Sequence, residues 1–272
     1  MTSLLPPLLR RRFGATLLLL AAALLASLSA GAAAAAAAES AQRQAVDLAL
    51  VMAVDVSESV DADEYQLQHE GIARAFEDER LIGAISAGAR GGIAVTVIEW
   101  SDRDKQVVTV DWTRVTDRAS AAAFAAAVRK TQRSSNGLTA LGDALLAARA
   151  AFERLPYAPE RRVIDVSGDG MANIGPSPRD VRDALVAGGI TINGLAILGD
   201  ESAIESYYND YVVGGAGAFL MQAENFQSFA AAMLNKLLSE VSGVLQPPPT
   251  AGKRKLAAGP IPPRALYAAQ MQ

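Results

Sequence analysis

Three oxygen-bearing side chains directly follow the apolar run Ala45–Val54. The run leads into the string D-V-S-E-S, in which Asp55, Ser57 and Ser59 alternate with other residues. Side chains alternate along extended chain, so these three are expected to turn toward one point while the intervening valine faces the core. One carboxylate and two hydroxyls are hard donors that suit Mg²⁺, Mn²⁺ or Ca²⁺ better than zinc or copper. The string predicts part of a divalent metal site.

Two later loops carry further oxygen donors. Residues 136–142 form a loop that opens a helix, with Thr139 near its start, and residues 167–170 read S-G-D-G, with Asp169 at the third position. Thr139 is either the N-cap of that helix or a metal ligand. Asp169 is either a turn residue or a ligand, since Asp between glycines is common in turns. The predicted set for one ion is Asp55, Ser57, Ser59, Thr139 and Asp169.

The elements that must position these loops alternate along the chain. Strands are predicted at 45–54, 92–100, 106–112, 162–167, 190–198 and 218–221, and helices at 61–80, 117–130, 140–155, 178–187, 201–211 and 224–241. This order predicts an α/β fold with a doubly wound, mostly parallel sheet and helices on both faces. The second and third strands are joined by a few residues, so one edge strand must be antiparallel. Ligands of such folds bind at the carboxyl ends of the strands.

These motifs resemble the metal-ion-dependent adhesion site of von Willebrand factor A domains, which have a Rossmann-like fold. The resemblance covers residues 44–243, and the phrases 163–173 and 190–198 are most similar to a bacterial exported subfamily, DUF1194. It implies that Ser57, Ser59 and Thr139 bind one metal ion through hydroxyls. Asp55 and Asp169 would bind directly or through water. It also implies a protein ligand that offers an Asp or Glu carboxylate to the ion.

Two positions depart from the family's usual pattern. The family usually has T-D-G after the fourth strand, whereas Gly168 here separates Ser167 from Asp169. The second loop carries Leu138 between its glycine and Thr139. A metal-free scaffold is therefore one alternative to metal-dependent binding.

A metal-dependent hydrolase is the other alternative, and it needs a nucleophile or a base. The chain has no G-x-S-x-G, H-E-x-x-H or P-loop motif. The single histidine, His69, is predicted on the surface in the middle of a helix. Cysteine is absent, which excludes disulfides, thiolate metal sites and a cysteine nucleophile. We therefore expect a binding protein rather than an enzyme.

The two ends of the chain differ from the domain between them. Residues 1–38 are typical of a secretory signal peptide, with arginines at 10–12, an apolar stretch at 17–28 and A-x-A cleavage sites at 32–38. A single membrane anchor is the alternative, but the apolar stretch is short for a bilayer, and no stable span is expected after cleavage. The protein is expected to be exported, periplasmic or secreted. Residues 244–272, rich in Pro and Ala, are predicted to be a flexible tail.

The net charge and several single residues allow further expectations about partners and packing. The net charge of −4 at neutral pH disfavours nucleic acid as a partner. Trp100 is expected in the core, and Asp165, an acid within a strand pattern, either lies near the site or faces outward. Leu67 is expected to face inward. Tyr207, Tyr208 and Tyr211 are interpreted as an exposed aromatic face.

Overall fold

A six-stranded sheet runs through the part of the chain that the structure, a computed structural model, describes, namely residues 43–199 and 203–243. The predicted signal peptide and the predicted tail lie outside these residues. The strands are β1 (Ala45–Asp55), β2 (Ile93–Trp100), β3 (Gln106–Val115), β4 (Ala158–Gly168), β5 (Thr191–Ile197) and β6 (Leu220–Ala223). Their order in the sheet is β3-β2-β1-β4-β5-β6, and β3 alone is antiparallel to its neighbour. The predicted mostly parallel sheet with one antiparallel edge strand is confirmed.

Helices cover both faces of this sheet, as predicted. They are α1 (Ala62–Glu77), α2 (Glu79–Ser86), α3 (Arg118–Lys130), α4 (Leu141–Glu153), α5 (Pro178–Ala187), α6 (Ala203–Tyr207) and α7 (Phe229–Ser242). A π-helical turn, Tyr208–Val212, continues α6, and a short 3₁₀ turn, Phe226–Ser228, precedes α7. None of the described helices is long and apolar enough to cross a membrane.

The alternation of side chains along β1 separates the core into two halves. Leu50, Met52 and Val54 pack with α1, α2, α3 and α7 on one face. Val51 and Ala53 pack with α4, α5 and the π-helical turn on the other. Because β1 is central and covered on both faces, its sequence is a nearly continuous apolar run rather than an alternating one.

The predicted helix 61–80 is two helices. Asp61 caps α1: its side chain accepts the Glu64 N–H at 2.8 Å, and the Glu64 side chain accepts the Asp61 N–H at 2.9 Å. The helix then ends at Asp78, whose carboxylate accepts the Arg80 N–H at 2.9 Å and so caps α2. A side-chain acceptor inside a helical pattern can start a new helix, and that happens here. The inward prediction for Leu67 is also wrong, because this side chain is 36% exposed.

Asp165 belongs to a buried ionic network rather than to the predicted metal loops. The Lys236 Nζ on α7 lies 2.6 Å from Asp165 Oδ1 and 2.5 Å from Glu240 Oε1. Asn193 on β5 donates to the same Glu240 oxygen at 2.9 Å. The contact with Asp165 is an ion pair without an aligned hydrogen bond. Burial, with the nearby Glu240 carboxylate, raises the pKa of Asp165 to about 7, although Lys236 opposes this shift.

Replacing Lys236 with Met should destabilise the fold by about 3–5 kcal/mol at neutral pH, because two buried carboxylates lose their shared cation. The loss should shrink toward about pH 5, since protonation of a carboxyl whose folded pKa is raised favours the folded state at low pH. Urea unfolding at both pH values measures it. The exposed Lys130→Met is the control and should change stability by less than about 0.5 kcal/mol. A loss below about 1 kcal/mol for Lys236→Met would contradict the network's role.

Candidate metal centre

The first candidate loop leaves the sheet at Asp55, the last residue of β1. The Asp55 side chain is fully buried, and its Oδ1 accepts the Ser57 N–H at 2.8 Å. Val56 is buried in the core, and its N–H donates to Trp100 O at 2.9 Å. Val56 therefore faces the core as the alternating pattern predicts, while Ser57 is buried and Ser59 is exposed at the surface.

The loop after β4 meets the first loop through its acidic residue. Ser57 Oγ lies 3.2 Å from Ser59 Oγ, and Ser59 Oγ donates to Asp169 Oδ1 at 2.7 Å. The register of β1 on β4 causes this meeting, because Val54 pairs with Ser167 and both strands then end. Four of the predicted ligands are thus joined in one chain of contacts at one edge of the sheet.

Thr139 is held against the Asp169 loop by Asn173. The Thr139 N–H donates to Asn173 Oδ1 at 2.8 Å, and the Asn173 N–H donates to Thr139 O at 3.1 Å. A Cβ placed on Gly170 would lie 3.7 Å from Thr139 Oγ1, so the hydroxyl is close to this loop. Thr139 does not cap α4: the N-cap is Ala140, and no side chain caps that helix end. The N-cap alternative is wrong, while the ligand alternative agrees with this position.

The electrostatics of Asp55 fit a hard cation. Its Oδ2 is buried and has no hydrogen-bond partner. Burial raises the pKa of Asp55 to about 7, hydrogen bonds from Ser57 oppose the shift, and the nearby Asp169 carboxylate adds to it. A buried carboxylate oxygen without a donor is costly unless a cation or a proton satisfies it. Two carboxylates and three hydroxyls form an all-oxygen set of the kind that Mg²⁺, Mn²⁺ or Ca²⁺ prefers.

Hydroxyls have to carry much of this set. Within residues 43–199 and 203–243, no three His, Cys, Asp or Glu side chains come together in a way that could hold a metal ion. The candidate centre has two carboxylates, and its other donors are Ser57, Ser59 and Thr139. The three hydroxyls balance none of the charge of a divalent ion, so Asp55 and Asp169 are the only anionic donors in the set.

Arg133 fixes the backbone of the first loop and was missed from the sequence. Its guanidinium donates to Val56 O and Ser57 O, both at 2.7 Å. Gln68 donates to Asp55 O at 3.1 Å, and the Glu58 N–H donates to Gly137 O at 2.8 Å. The polar stretch 131–136 reads as an ordinary loop, so nothing local in the sequence indicates this contact.

Arg133 itself lies in a segment held by a buried histidine–glutamate pair. His69 Nε2 lies 3.0 Å from Glu99 Oε1, and the Tyr65 hydroxyl donates to the same oxygen at 2.9 Å. The Ser134 N–H donates to Glu99 Oε2 at 2.7 Å. Burial alone would raise the pKa of Glu99, but the hydrogen bonds from His69 and Ser134 outweigh it and lower that pKa.

The surface prediction for His69 is therefore wrong. Its side chain is buried on the face of α1 that packs on the sheet, together with Tyr65, Gln68 and Ile72. These positions recur at the i, i+3, i+4, i+7 spacing of one helix face. That spacing, rather than the polarity of a lone histidine, indicates that His69 faces the core.

The three tyrosines after β5 do not form one exposed face. Tyr208 is fully buried, which corrects the prediction for it. The Tyr207 hydroxyl accepts the Ala172 N–H at 3.2 Å, next to the Asp169 loop. Tyr211 is 38% exposed and stacks on Tyr207 with ring centroids 4.9 Å apart.

In EDTA, Asp55→Asn should become more stable relative to the original protein as the pH rises. The folded pKa of Asp55, about 7, lies above its ordinary value of 3.8, so its contribution to stability is present at low pH and is lost as pH rises through 7. The stability difference should change by about 2–3 kcal/mol between about pH 5 and about pH 8. Urea unfolding measures it. A difference that is independent of pH would show that Asp55 is not the buried, unpartnered acid described above.

Comparison with known proteins adds a family and a set of folds. The sequence pattern of the family described as "Protein of unknown function (DUF1194)" matches residues 45–245. No curated protein sequence matches the chain.

Solved structures with similar folds share little sequence. Proximal thread matrix protein 1 from the mussel byssus, in a structure with a zinc-occupied MIDAS motif, has 20% identity and a TM-score of 0.53 over 73% of this chain and 47% of its own. A von Willebrand factor type A protein from Catenulispora acidiphila has 18% identity and a TM-score of 0.51, over 74% and 43%. The vWF domain of the type V pili tip protein Mfa5 from Porphyromonas gingivalis has 11% identity and a TM-score of 0.52, over 75% and 98%. The chain thus spans less than half the length of the first two.

Proposed function

Because the chain belongs to the DUF1194 family and has the fold of von Willebrand factor A domains, we propose that it is an exported protein-binding module whose ligand contact depends on one divalent metal ion. The observation that carries the proposal is the chain of contacts from Asp55 through Ser57 and Ser59 to Asp169, together with the unpartnered buried oxygen of Asp55. Thr139 completes the set from the second loop.

The donor set favours binding of a partner's acidic side chain. Mg²⁺ prefers six oxygens and keeps waters where the protein supplies too few. When bound, the ion would supply a Lewis-acidic centre, and the three neutral hydroxyls of the set would balance none of its charge. Asp55, Ser57, Ser59, Thr139 and Asp169 hold it at the rim of the sheet, and a partner's Asp or Glu carboxylate provides the remaining oxygen and charge.

Two exposed apolar side chains flank the candidate centre and narrow the partner's chemistry. Leu138, just before Thr139, is 44% exposed, and Met171, two residues after Asp169, is 36% exposed. The Thr139–Asn173 hydrogen bonds join the two loops that carry them. A partner that presents an acidic residue beside an apolar one would fill the metal position and cover these side chains.

Two of the structurally similar proteins come from settings that are compatible with a binding role. One belongs to the mussel byssus and one to a pilus tip. Because the mussel protein's site is described with zinc, zinc belongs in any panel of ions tested here, although the oxygen-only donor set favours harder ions.

Two other functions compete with this proposal. A metal-dependent hydrolase needs a base or nucleophile near the ion. The sole histidine does not fit that role, because it is buried and its ring nitrogens contact Glu99 and the Tyr65 carbonyl. A metal-free scaffold would leave the Asp55 oxygen buried without compensation.

We also propose that residues 1–38 direct export and are removed, which N-terminal sequencing of the exported protein tests.

Millimolar Mg²⁺, Mn²⁺, Ca²⁺ or micromolar Zn²⁺ should raise the melting temperature relative to EDTA. An ion at about a hundred times its dissociation constant stabilises the folded protein by about 2.7 kcal/mol. For a domain of this size, that raises the melting temperature by about 5–10 °C. Differential scanning fluorimetry of the original protein and Asp55→Ala measures it, and Asp55→Ala should lose the shift.

The matched control is Asp63→Ala, which removes an exposed acid from the first turn of α1. This variant should keep the full shift. If the original protein shows no shift with any of the four ions, or if Asp55→Ala keeps it, the metal-dependent function is wrong.

Phosphomonoesters and phosphodiesters should not be hydrolysed when Mg²⁺ or Mn²⁺ is added, because the ring of the sole histidine, His69, is held on Glu99 rather than on the candidate ligands. Release of nitrophenol from chromogenic esters measures this. Turnover that disappears in Asp55→Ala would favour the hydrolase instead.

A further inference from the structure

Tyr208 is a buried phenol without a hydrogen-bond partner. It opens the π-helical turn that follows α6, its side chain is fully buried, and its hydroxyl has no partner. Buried tyrosine hydroxyls usually find a partner, and isolated π-helical turns are frequent at functional sites. A buried, unpartnered hydroxyl in such a turn therefore indicates a role beyond packing.

Gly168 shows what the hydroxyl faces. A Cβ built on Gly168 would lie 2.6 Å from the Tyr208 oxygen and 2.7 Å from Asp55 Oδ2. The two atoms thus converge on one point beside the backbone of Gly168. Both are buried, and neither has a hydrogen-bond partner. A side chain at position 168 would overlap both, which explains the glycine that separates Ser167 from Asp169.

The faces of the sheet agree with this convergence. Asp55 follows Ala53 by two residues, so both side chains lie on the face covered by α4, α5 and the π-helical turn. Tyr208 belongs to the core cluster on that face, where its ring packs beside Gly194 of β5. The Ser167 hydroxyl is also buried and unpartnered, but Ser167 follows Val166 of that cluster and so points to the other face.

We infer that Tyr208 is a positioning residue of the metal centre: when the ion is bound, its hydroxyl donates a hydrogen bond to Asp55 Oδ2, directly or through one buried water, and orients the carboxylate. The inference rests on the proposed function. A phenol is the donor that this acceptor lacks, and a carboxylate with about four acceptor positions keeps room for a metal after it accepts from Ser57 and Tyr208. Outer donors of this kind orient ligands, and their loss typically weakens metal affinity by about 10–100-fold.

Tyr208→Phe separates this role from a structural one, because it removes the hydroxyl and keeps the ring. In EDTA, its melting temperature should equal or exceed that of the original protein, since an unpartnered buried hydroxyl is removed. Its dissociation constant for Mg²⁺ or Mn²⁺, measured by isothermal titration calorimetry, should rise about 10–100-fold. Addition of Mg²⁺ should also change the near-ultraviolet tyrosine absorption of the original protein, and this change should be lost in Tyr208→Phe.

Tyr211→Phe is the matched control, since Tyr211 lies on the same turn and is exposed. It should keep both the affinity and the spectral change. Unchanged affinity in Tyr208→Phe overturns the inference and leaves the proposed function standing. A Tyr208→Phe protein that unfolds in EDTA also overturns it, because the hydroxyl would then be stabilising the fold itself. An original protein that binds no ion overturns both.

Discussion

The parallel pairing of β1 with β4 is the constraint on which the candidate centre depends. It brings Val54 opposite Ser167, so both strands end at the same edge and their loops must meet. Neither loop holds a complete set of oxygens, and the contact between Ser59 and Asp169 exists because of this register. A shift by one residue would turn Asp55 to the opposite face of the sheet. The fold therefore contributes geometry, while the short strings after each strand contribute the donors.

Much of the architecture was predictable because its signals are local. The apolar run of β1, the short link between β2 and β3, and the alternation of strands with helices each determine a neighbour relation. The break between α1 and α2 was not predicted, because one capping aspartate, Asp78, interrupts an otherwise helical pattern. Boundaries moved where pairing lengthened a strand, as at the start of β4, whose first residues pair with β1.

The candidate centre was predictable in its oxygen donors and not in the groups around them. D-x-S-x-S after a buried strand has a spacing that can be read directly, whereas His69 and Glu99 are 30 residues apart and meet through packing of α1 on β2. Thr139 was ambiguous until the start of α4 was known. Tyr208 lies in a polar, tyrosine-rich stretch, and nothing in that composition indicates burial. Contacts between distant segments leave no local pattern in the sequence, so they are visible only in the folded structure.

The hydrogen bonds that hold the backbone of the first loop affect how the proposed site would select a partner. Arg133, Gln68 and the Gly137 carbonyl hold its backbone through hydrogen bonds made within the protein itself. The conformational entropy of this loop is therefore lost when the chain folds and not when a ligand arrives. A loop preorganised in this way favours ligands that fit its shape, because a ligand that needs the loop to move must first break these bonds. Under the proposed function, discrimination among similar acidic partners would then come from steric fit to a rigid loop.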